Sequence, residues 1–461
     1  MATLLRRVAG GSSTVFFINL ASMFVALFVT VLLITNLEQS DYGLLILALS
    51  AYSIMLTFLT LGIDGLIATE ISRYKGEKKY GHIKRVIRDY AILELAVALL
   101  LSLSFFFFAE FVASFYSHEV VYIVRLTSVL LFLGGISGVL RTILYGYSKF
   151  FFYSIEPFIE TVTRLVCIFV FVVLLSWGIT GAFMAYIMAI VVGISALVLP
   201  FTKIIHSLKS VPICNENLLK ALFLGHGKYV PLSTIIKHIS DEIPVWIVTA
   251  FWTLNDVAIY SLAKKFYNPA AMIFGSIETV LLPTMSEEIG KSKERLVKLY
   301  LLGTKYSLWT SCILVIPAIL LTPLAIDIFA PGAYNQSKLV LQILLINLVL
   351  ISLSSIQRCT LYAMKSQRSL FLLFSLNFVF FLGISLITTF YLAAIGMAIA
   401  YIITSFLRML FGFYLLHRED RNLRITISSL FSIDDNDKRI FRRIFGKINR
   451  VNSSTEEELD F

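Results

Sequence analysis

The chain has 461 residues, of which 58% are hydrophobic and 15% are charged, and its formal net charge is +10. Soluble domains carry about 25% charged residues, and the mean hydropathy here is +0.85. The composition therefore excludes a soluble protein and predicts an all-α integral membrane protein. The four cysteines and six histidines show no metal-ligand spacing, so we expect neither a metal site nor a disulfide framework.

Twelve apolar runs are long enough to cross about 30 Å of hydrocarbon. The first six are predicted at 14–36, 43–63, 89–113, 121–145, 155–176 and 180–200. The second six are predicted at 226–250, 256–282, 300–323, 338–362, 370–391 and 395–415. The first run follows a short basic segment without a small-residue cleavage site, so we interpret it as an uncleaved span. An even number of spans places both termini on one side of the membrane.

Lysine and arginine predict the orientation of these spans. The segment 70–88 alone holds seven of them, whereas the loops near 37–42, 251–255 and 324–337 hold none. Because basic loops stay in the cytoplasm, we expect a multi-pass protein of the cytoplasmic (inner) membrane with both termini cytoplasmic.

The two halves of the chain resemble each other at an offset of 215–217 residues. Asp41 in QSDYGLLILA matches Asp256 in LNDVAIYSLA, and Arg141 in LRTILYG matches Arg358 in QRCTLYA. TGAFMAY likewise matches IGMAIAY. Six spans per half give both halves the same topology, so two pseudo-symmetric six-helix bundles should surround a central cavity. We predict a bundle at 1–205, a linker at 206–225, a second bundle at 226–415 and a cytoplasmic tail at 416–461.

The seventh and eighth spans carry charges that other spans lack. Ser233, Lys237 and Asp241 recur on one helical face, while Lys237 lies about 17 Å and Lys264 about 12 Å into their spans. A Lys or Asp in hydrocarbon costs about 2.5–3.5 kcal/mol on insertion scales. Lys237 and Asp241 are either an i,i+4 ion pair that permits insertion or part of a site. Lys264 and Lys265 have no acidic residue within one turn, which favours a functional role.

Other charges in the spans have weaker patterns. Glu160 and Arg164 are spaced to form a structural ion pair, with a gate or proton-coupled switch as the alternative. Asp64 ends the second span, and Glu94 is expected to snorkel to the interface. Arg141 and Arg358 lie near the cytoplasmic ends of their spans, where they either bind carbonyls and headgroups or meet an anionic substrate on its way in.

The tail combines apolar and basic residues on opposite sides of a helix. Ile440, Phe441, Ile444, Phe445 and Ile448 share one face, with basic residues beside them. This pattern is typical of an amphipathic helix on an anionic membrane surface.

NDVAIYSLAKKF, followed by ETVLLPTMSEEIGKSKERLVKLY, resembles the polysaccharide-transporter branch of the multidrug/oligosaccharidyl-lipid/polysaccharide exporter superfamily. A proline after the apolar run, then serine and a charged segment (Leu282–Ser286), is typical of its eighth span. The twelve-span plan is similar to this branch as far as about residue 415.

The resemblance implies a non-enzymatic flippase for an oligosaccharide linked to a polyprenyl (di)phosphate, working by alternating access. A diphosphate needs counter-charge to cross hydrocarbon, which makes Lys237, Lys264 and Lys265 the expected phosphate ligands. The sugar is expected to contact Tyr260, Tyr267 and Asn268. No cofactor is expected, and a coupled proton or sodium ion is assigned to Asp241 or Glu278, with Asp64, Glu160 and Arg164 as gating candidates.

Three alternatives remain open. A drug or small-cation exporter of the same superfamily requires a negatively charged cavity, and a peptidoglycan-precursor flippase is close in chemistry. A membrane glycosyltransferase is disfavoured because the outer loops are short and carry no acidic or histidine cluster. The expected partners are the lipid-linked substrate, membrane lipids and possible glycan-assembly proteins such as a polymerase; we expect a monomer and no nucleic-acid partner.

Overall fold

A computed structural model describes residues 2–60, 62–113, 119–214, 229–289, 293–330, 332–364 and 366–423. Within these ranges, the side chains of 2–17, 112–113, 119–120, 229–233, 275–280, 282–284, 286–289, 293 and 367 lie outside the description. The described chain is helical. The helices of the first half are α1 (Ala2–Asn36), α2 (Gln39–Leu59), α3 (Asp64–Gly76), α4 (Tyr80–Phe107), α5 (Ala109–Ala113), α6 (Glu119–Gly146), α7 (Phe150–Ile168) and α8 (Gly178–Ser207). Those of the second half are α9 (Tyr229–Phe251), α10 (Leu254–Ile289), α11 (Lys293–Phe329), α12 (Gln336–Ala363) and α13 (Gln367–Glu419).

Nine helices in the described ranges are long and apolar enough to span a membrane. One of them, α13, has 53 residues, about 80 Å at 1.5 Å per residue, and Ala393 breaks it with a φ of 50°. It therefore supplies two spans. The helices α9 and α10 are long enough to cross but carry the charges discussed above. Counting these two and the divided α13 gives twelve, which agrees with the predicted all-α membrane fold.

The internal repeat extends to the backbone. Asp41 and Asp256 both lie in the first turn of their helices, α2 and α10. Gly178, the first residue of α8, has a φ of +55°, and Ala393 has a φ of 50° three residues before Gly396. A side chain at Gly181 would lie 3.0 Å from the Phe171 carbonyl oxygen. Both halves thus make a tight turn at the same point of the repeat, and a π-helical segment (Phe169–Leu174) precedes the first of them.

Small residues bring the helices of the first half into close contact. A Cβ at Gly135 on α6 would lie 2.7 Å from the Ala98 side chain on α4. A Cβ at Gly146 would lie 2.8 Å from Ile71 on α3. Close approach of backbones is the usual way in which helices associate in lipid, where apolar burial alone gives little driving force. A buried apolar cluster from α3, α4, α6 and α8 fills the same region.

Loops rich in basic residues meet at one end of this first bundle. The Lys75 ammonium donates to the Tyr147 carbonyl at 2.8 Å, and the Lys84 ammonium donates to the Lys209 carbonyl at 3.0 Å. The basic segment 70–88 therefore lies at the same end as the segments 146–154 and 201–225, which also carry lysines. The two partly buried lysines donate hydrogen bonds to main-chain carbonyls that follow the C-terminal ends of α6 and α8.

Loops without basic residues meet elsewhere. The Gln39 amide lies 3.3 Å from the Ala333 carbonyl oxygen and 3.5 Å from that of Asn255. The Tyr42 and Tyr334 rings pack edge to face, with centroids 6.4 Å apart. Since α2 and α10 correspond in the repeat, their starting ends meet as expected of elements related by a pseudo-two-fold axis.

Contacts divide the chain into two compact units. The first comprises 1–273, 317–347 and 374–405, and the second comprises 274–316, 348–373 and 406–461. In the second unit, a buried cluster includes Met285, Tyr300, Ile356 and Leu415. The Gln357 amide donates to the Met409 carbonyl at 2.9 Å. The predicted tail helix at 438–450 lies outside the described residues, as does most of the predicted linker.

Gly43 on α2 offers a test of the contact between the two halves. A Cβ there would overlap the carbonyl oxygen of Leu254, so we expect Gly43→Ala to push α2 and α10 apart and to cost about 1–3 kcal/mol, the usual cost of overpacking. Thermal unfolding of the purified protein measures this loss. Gly65→Ala is the matched control because a Cβ at Gly65 meets nothing within 4 Å. Equal unfolding temperatures for the two variants would contradict the close approach.

Candidate functional site

The helices α9 and α10 bring two of the predicted site residues together. The Lys264 ammonium on α10 donates a hydrogen bond to the main-chain carbonyl of Asp241 on α9. Lys264 is half-buried, while Lys237, Asp241 and Lys265 are exposed. Exposed charges in the middle of helices of spanning length require a water-filled space rather than lipid. We therefore expect the charged face of the two helices to contact water rather than lipid.

The lysines on this face are not neutralised by the carboxylates described around them. No ion pair in the described ranges joins a carboxylate to Lys237, Lys264 or Lys265, although other ion pairs are present. The i,i+4 pair considered for Lys237 and Asp241 is thus not formed. A carbonyl satisfies one donor of Lys264 but leaves its charge unbalanced, so the face retains cationic groups able to bind an anion.

A second polar group lies on α6 and α7 and is internally neutralised. Glu160 and Arg164 form the ion pair predicted from their spacing, and the Arg164 guanidinium lies 4.1 Å from the centroid of the Tyr186 ring. One turn earlier, the Arg141 Nε is 3.4 Å from a carboxylate oxygen of Glu156. Each arginine therefore has an acidic partner one helix or one turn away.

The charged residues of α9 and α10 lie within electrostatic reach of the charged residues of α7. The charges of Arg164 on α7, Glu242 on α9 and Lys264 on α10 all lie within electrostatic reach of Lys265. The positive charges of Lys264 and Lys237 likewise lie within electrostatic reach of the Asp241 carboxylate. The charged faces of α7, α9 and α10 are consequently one electrostatic environment within the first compact unit.

The predicted aromatic ligands are not open to a ligand in this conformation. Tyr260 is fully buried and Tyr267 is buried. The Tyr267 hydroxyl accepts a hydrogen bond from the Asn347 amide at 3.4 Å, and this amide is itself buried. Stacking of a sugar on either ring therefore requires a different conformation. Asn268, the next residue, is exposed.

Contacts are described for both repeat-related arginines. Arg141 lies over the Tyr153 ring at 4.9 Å in addition to its contact with Glu156. In the second compact unit, Arg358 donates to the Ser355 hydroxyl at 2.8 Å. Arg141 is thus engaged by an acid and a ring, and its charge is not freely offered to a substrate in this conformation.

Asp64 has a defined partner, whereas Glu278 is not characterised. The Asp64 carboxylate accepts a hydrogen bond from the Tyr90 hydroxyl at 2.9 Å. Asp64 lies in α3, outside the spanning helices, and burial raises the pKa of its carboxyl to about 6 against the lowering effects of the Tyr90 hydrogen bond and of Arg141. The side chain of Glu278 lies outside the description.

Glu94 and Lys305 are buried charged residues that were not identified as site candidates from the sequence. Glu94 on α4 is only 2% exposed, so the expectation that it snorkels to the interface is wrong. Glycine at position 138 on α6 gives its carboxylate room, and the glycines of GGISG were the available signal. Lys305 on α11 is also buried, and its ammonium lies 5.2 Å from the centroid of the Trp309 ring one turn later.

No group of three or more His, Cys, Asp or Glu side chains suited to a metal ion occurs among the residues that the structure describes. The four cysteines, all within the described residues, form no disulfide. The candidate site is therefore built from single charges and hydrogen bonds.

Comparison with known proteins agrees with this architecture. The profile of a family described as "Polysaccharide biosynthesis protein" matches residues 8–289, more than half of the chain. An uncharacterized membrane protein of Methanocaldococcus jannaschii is 24% identical over 281 residues. This match covers 57% of the present chain and 55% of that relative, so the chain spans about half the length of the curated relative.

Solved structures share the fold. A lipid II flippase MurJ in an inward closed conformation superposes with a TM-score of 0.72 at 17% identity, covering 94% of this chain and 92% of that one. An inward-facing multidrug resistance MATE family transporter of the MOP superfamily gives 0.70 at 17% identity, covering 85% and 93%. A single-substitution mutant of the Vibrio cholerae MATE transporter VcmN gives 0.59 at 17% identity, covering 90% and 99%.

These structural similarities show an all-helical membrane fold common to flippases and exporters. The profile match adds the family. The chain belongs to the polysaccharide biosynthesis protein family and is a multi-pass integral membrane protein.

Proposed function

We propose that this protein is a flippase that moves a polyprenyl-(di)phosphate-linked oligosaccharide from the cytoplasmic to the outer leaflet by alternating access. The polysaccharide biosynthesis family and the fold shared with MurJ and MATE transporters support this class. The substrate is amphipathic, so its polyprenyl tail stays in lipid while its phosphate and sugars cross through the wet space.

The single observation that carries the proposal is the set of lysines on α9 and α10 that have no described carboxylate partner. A diphosphate carries about two negative charges and is very costly to place in hydrocarbon without counter-charge. Lys237, Lys264 and Lys265 supply up to three positive charges within the depth of the membrane. The Lys264 ammonium donates a hydrogen bond to the main-chain carbonyl of Asp241. A phosphate oxygen would replace this carbonyl as the acceptor and form a stronger hydrogen bond, because both partners would be charged.

Release of the phosphate requires that its binding be limited. Asp241 and Glu242 share the electrostatic environment of the lysines and oppose the anion. The arginines of α6 and α7 are neutralised by Glu156 and Glu160 in ion pairs. The lysines of α9 and α10 are therefore the cations that would bind the phosphate. In this scheme, Asp241, Glu278 and the Glu160–Arg164 pair are candidates for coupling to a proton or a sodium ion.

The alternatives make different demands on the same residues. A small-cation exporter needs uncompensated acids where this chain has uncompensated lysines. A peptidoglycan-precursor flippase needs the same diphosphate ligands, so it differs only in the sugar and peptide that the cavity accepts. A glycosyltransferase needs a catalytic carboxylate cluster on an outer loop, for which the sequence offers no pattern.

We place the protein in the cytoplasmic membrane with both termini in the cytoplasm. The supporting observation is that the lysine-rich loops share one end of the first bundle, while loops without Lys or Arg meet through Gln39, Asn255 and Ala333. The positive-inside rule assigns the basic end to the cytoplasm.

Removal of the α10 lysines should slow transport. In proteoliposomes holding a labelled polyprenyl-diphosphate oligosaccharide, we expect Lys264→Ala with Lys265→Ala to reduce leaflet exchange about 10–100-fold, since a hydrogen bond to a charged group contributes about 1.5–3 kcal/mol. Lys298→Ala, which removes an exposed lysine on α11, is the matched control and should exchange at the wild-type rate.

The same assay discriminates among the classes. Wild-type exchange of the diphosphate-linked sugar that survives the double substitution would contradict the anion site. Failure of the folded wild type to exchange it, together with export of an organic cation, would reject the proposed function in favour of a drug exporter.

Orientation is tested by labelling single cysteines. With the four native cysteines replaced by Ala, Lys209→Cys and Asn335→Cys introduce exposed thiols at the basic end and at the opposite end of the chain's first compact unit. We expect a membrane-impermeant maleimide applied to intact cells to label Asn335→Cys at once and Lys209→Cys only after permeabilisation. The reverse pattern would place the termini outside.

A further inference from the structure

We propose that Asp64, Tyr90, Glu94 and Thr142 form a proton-binding site inside the first bundle, and that its loading and release drive the flippase. The proposal rests on the proposed transport function and adds the coupling ion and its place. It assigns coupling to helices α3, α4 and α6, away from the lysines of α9 and α10.

Three helices build the site. Asp64 begins α3, Tyr90 and Glu94 lie one turn apart on α4, and Thr142 lies on α6. The Tyr90 hydroxyl lies 2.9 Å from an Asp64 carboxylate oxygen and 3.2 Å from the Thr142 hydroxyl. A hydroxyl has one proton to donate. Tyr90 therefore donates to one neighbouring oxygen at a time.

Glu94 is the unsatisfied member of this group. It is 98% buried, since only 2% of its surface is exposed, and neither of its carboxylate oxygens has a hydrogen-bond partner among the described residues. The Tyr90 hydroxyl lies beside it, but its one proton has to serve Asp64 and Thr142 as well as this carboxylate. An ionised carboxylate without donors is very costly in an apolar interior. The geometry is therefore that of a carboxylic acid that carries its own proton.

The packing around Glu94 favours a proton over a metal ion. One of its oxygens lies 2.7 Å from where a Cβ on Gly138 would stand, so this oxygen faces the carbon surface of α6. Sodium requires several oxygen ligands that converge on one point, whereas a proton needs only the carboxyl itself. The absence of a side chain at position 138 is what makes room for the acid.

The site is connected to the charges around the candidate substrate face. Among the described residues, Arg141 on α6 is the cation that acts on Asp64, and Asp64 is the acid that acts on Glu94. Arg141 also contacts Glu156 on α7 at 3.4 Å. Arg141 is thus shared between an acid of the proton site and an acid of α7.

Because Arg141 interacts with both Asp64 and Glu156, a change in protonation at Asp64 and Glu94 changes the interaction between α6 and α7. When Asp64 and Glu94 together hold a proton, Glu156 dominates the attraction on Arg141. When the proton leaves, the negative charge near Asp64 competes with Glu156 for the positive charge of Arg141, which weakens the attraction between Arg141 and Glu156. Glu160 and Arg164, one turn further along α7, face the space of Lys265. Proton release and the state of the substrate face are in this way linked through one arginine.

Transport under an imposed pH difference tests the proposal. We measure exchange of the labelled lipid-linked oligosaccharide in proteoliposomes with and without a two-unit pH difference. We expect the difference to speed wild-type exchange about 10-fold, and Glu94→Gln to exchange at one rate in both conditions. Glu110→Gln is the control because Glu110 is exposed and pairs with Arg125 outside the site, and it should keep the wild-type response.

A spectroscopic readout keeps the test independent of transport. The infrared carbonyl stretch of a protonated carboxylic acid should be present in wild-type protein at pH 7 and should disappear in Glu94→Gln. Tyr90→Phe should keep the band but shift the pH at which it is lost. This measurement supports or overturns the proton site even if the wild type fails to exchange the oligosaccharide, which would reject the proposed function instead.

Three results would overturn the proposal. The first is a wild-type response to a sodium gradient but not to a pH difference. The second is a Glu94→Gln variant that still responds to the pH difference. The third is a carbonyl band that is missing from the wild type or unchanged in Glu94→Gln. If the variant does not fold, the wild-type band can still be followed through a pH titration.

Discussion

The cost of an unneutralised charge in hydrocarbon is the constraint on which this structure depends. The chain answers it in two ways. On α6 and α7, each arginine has its own acid, as in Glu160–Arg164 and Arg141–Glu156. On α9 and α10, Lys264 donates to a main-chain carbonyl, but none of the described carboxylates forms an ion pair with Lys237, Lys264 or Lys265. The second arrangement is tolerable only where water or an anionic ligand neutralises the lysines, and this is the reason why we propose the phosphate site on α9 and α10.

The internal repeat gives both halves the same topology but not the same chemistry. Matching helix starts, at Asp41 and Asp256, and matching tight turns, at Gly178 and Ala393, preserve the backbone plan. In the first half Arg141 lies 3.4 Å from a Glu156 carboxylate oxygen, and in the second half Arg358 donates to the Ser355 hydroxyl. A pseudo-symmetric scaffold with asymmetric charges suits a transporter, since one half can bind the substrate while the other responds to an ion.

Polar side chains within the first bundle are linked by hydrogen bonds, ion pairs and longer-range electrostatic interactions. Glu94 and Asp64 are next to Tyr90, Arg141 acts on Asp64 and contacts Glu156, and the adjoining turn of α7 carries the Glu160–Arg164 pair. Such buried networks are sensitive to the loss of one member, because a remaining group is left without its partner.

The sequence by itself determined the membrane class, the twelve spans, the repeat and the Glu160–Arg164 pair, because hydropathy runs, repeat offsets and i,i+4 spacing are all local or periodic signals. Only the tertiary structure decided the burial of Glu94, Tyr260 and Tyr267 and the partner of Arg141. Glu94 is buried because Gly138, 44 residues later in the sequence, presents no side chain to it. Contacts of this kind join different helices, and the amphipathic pattern of one helix does not specify which neighbour covers it.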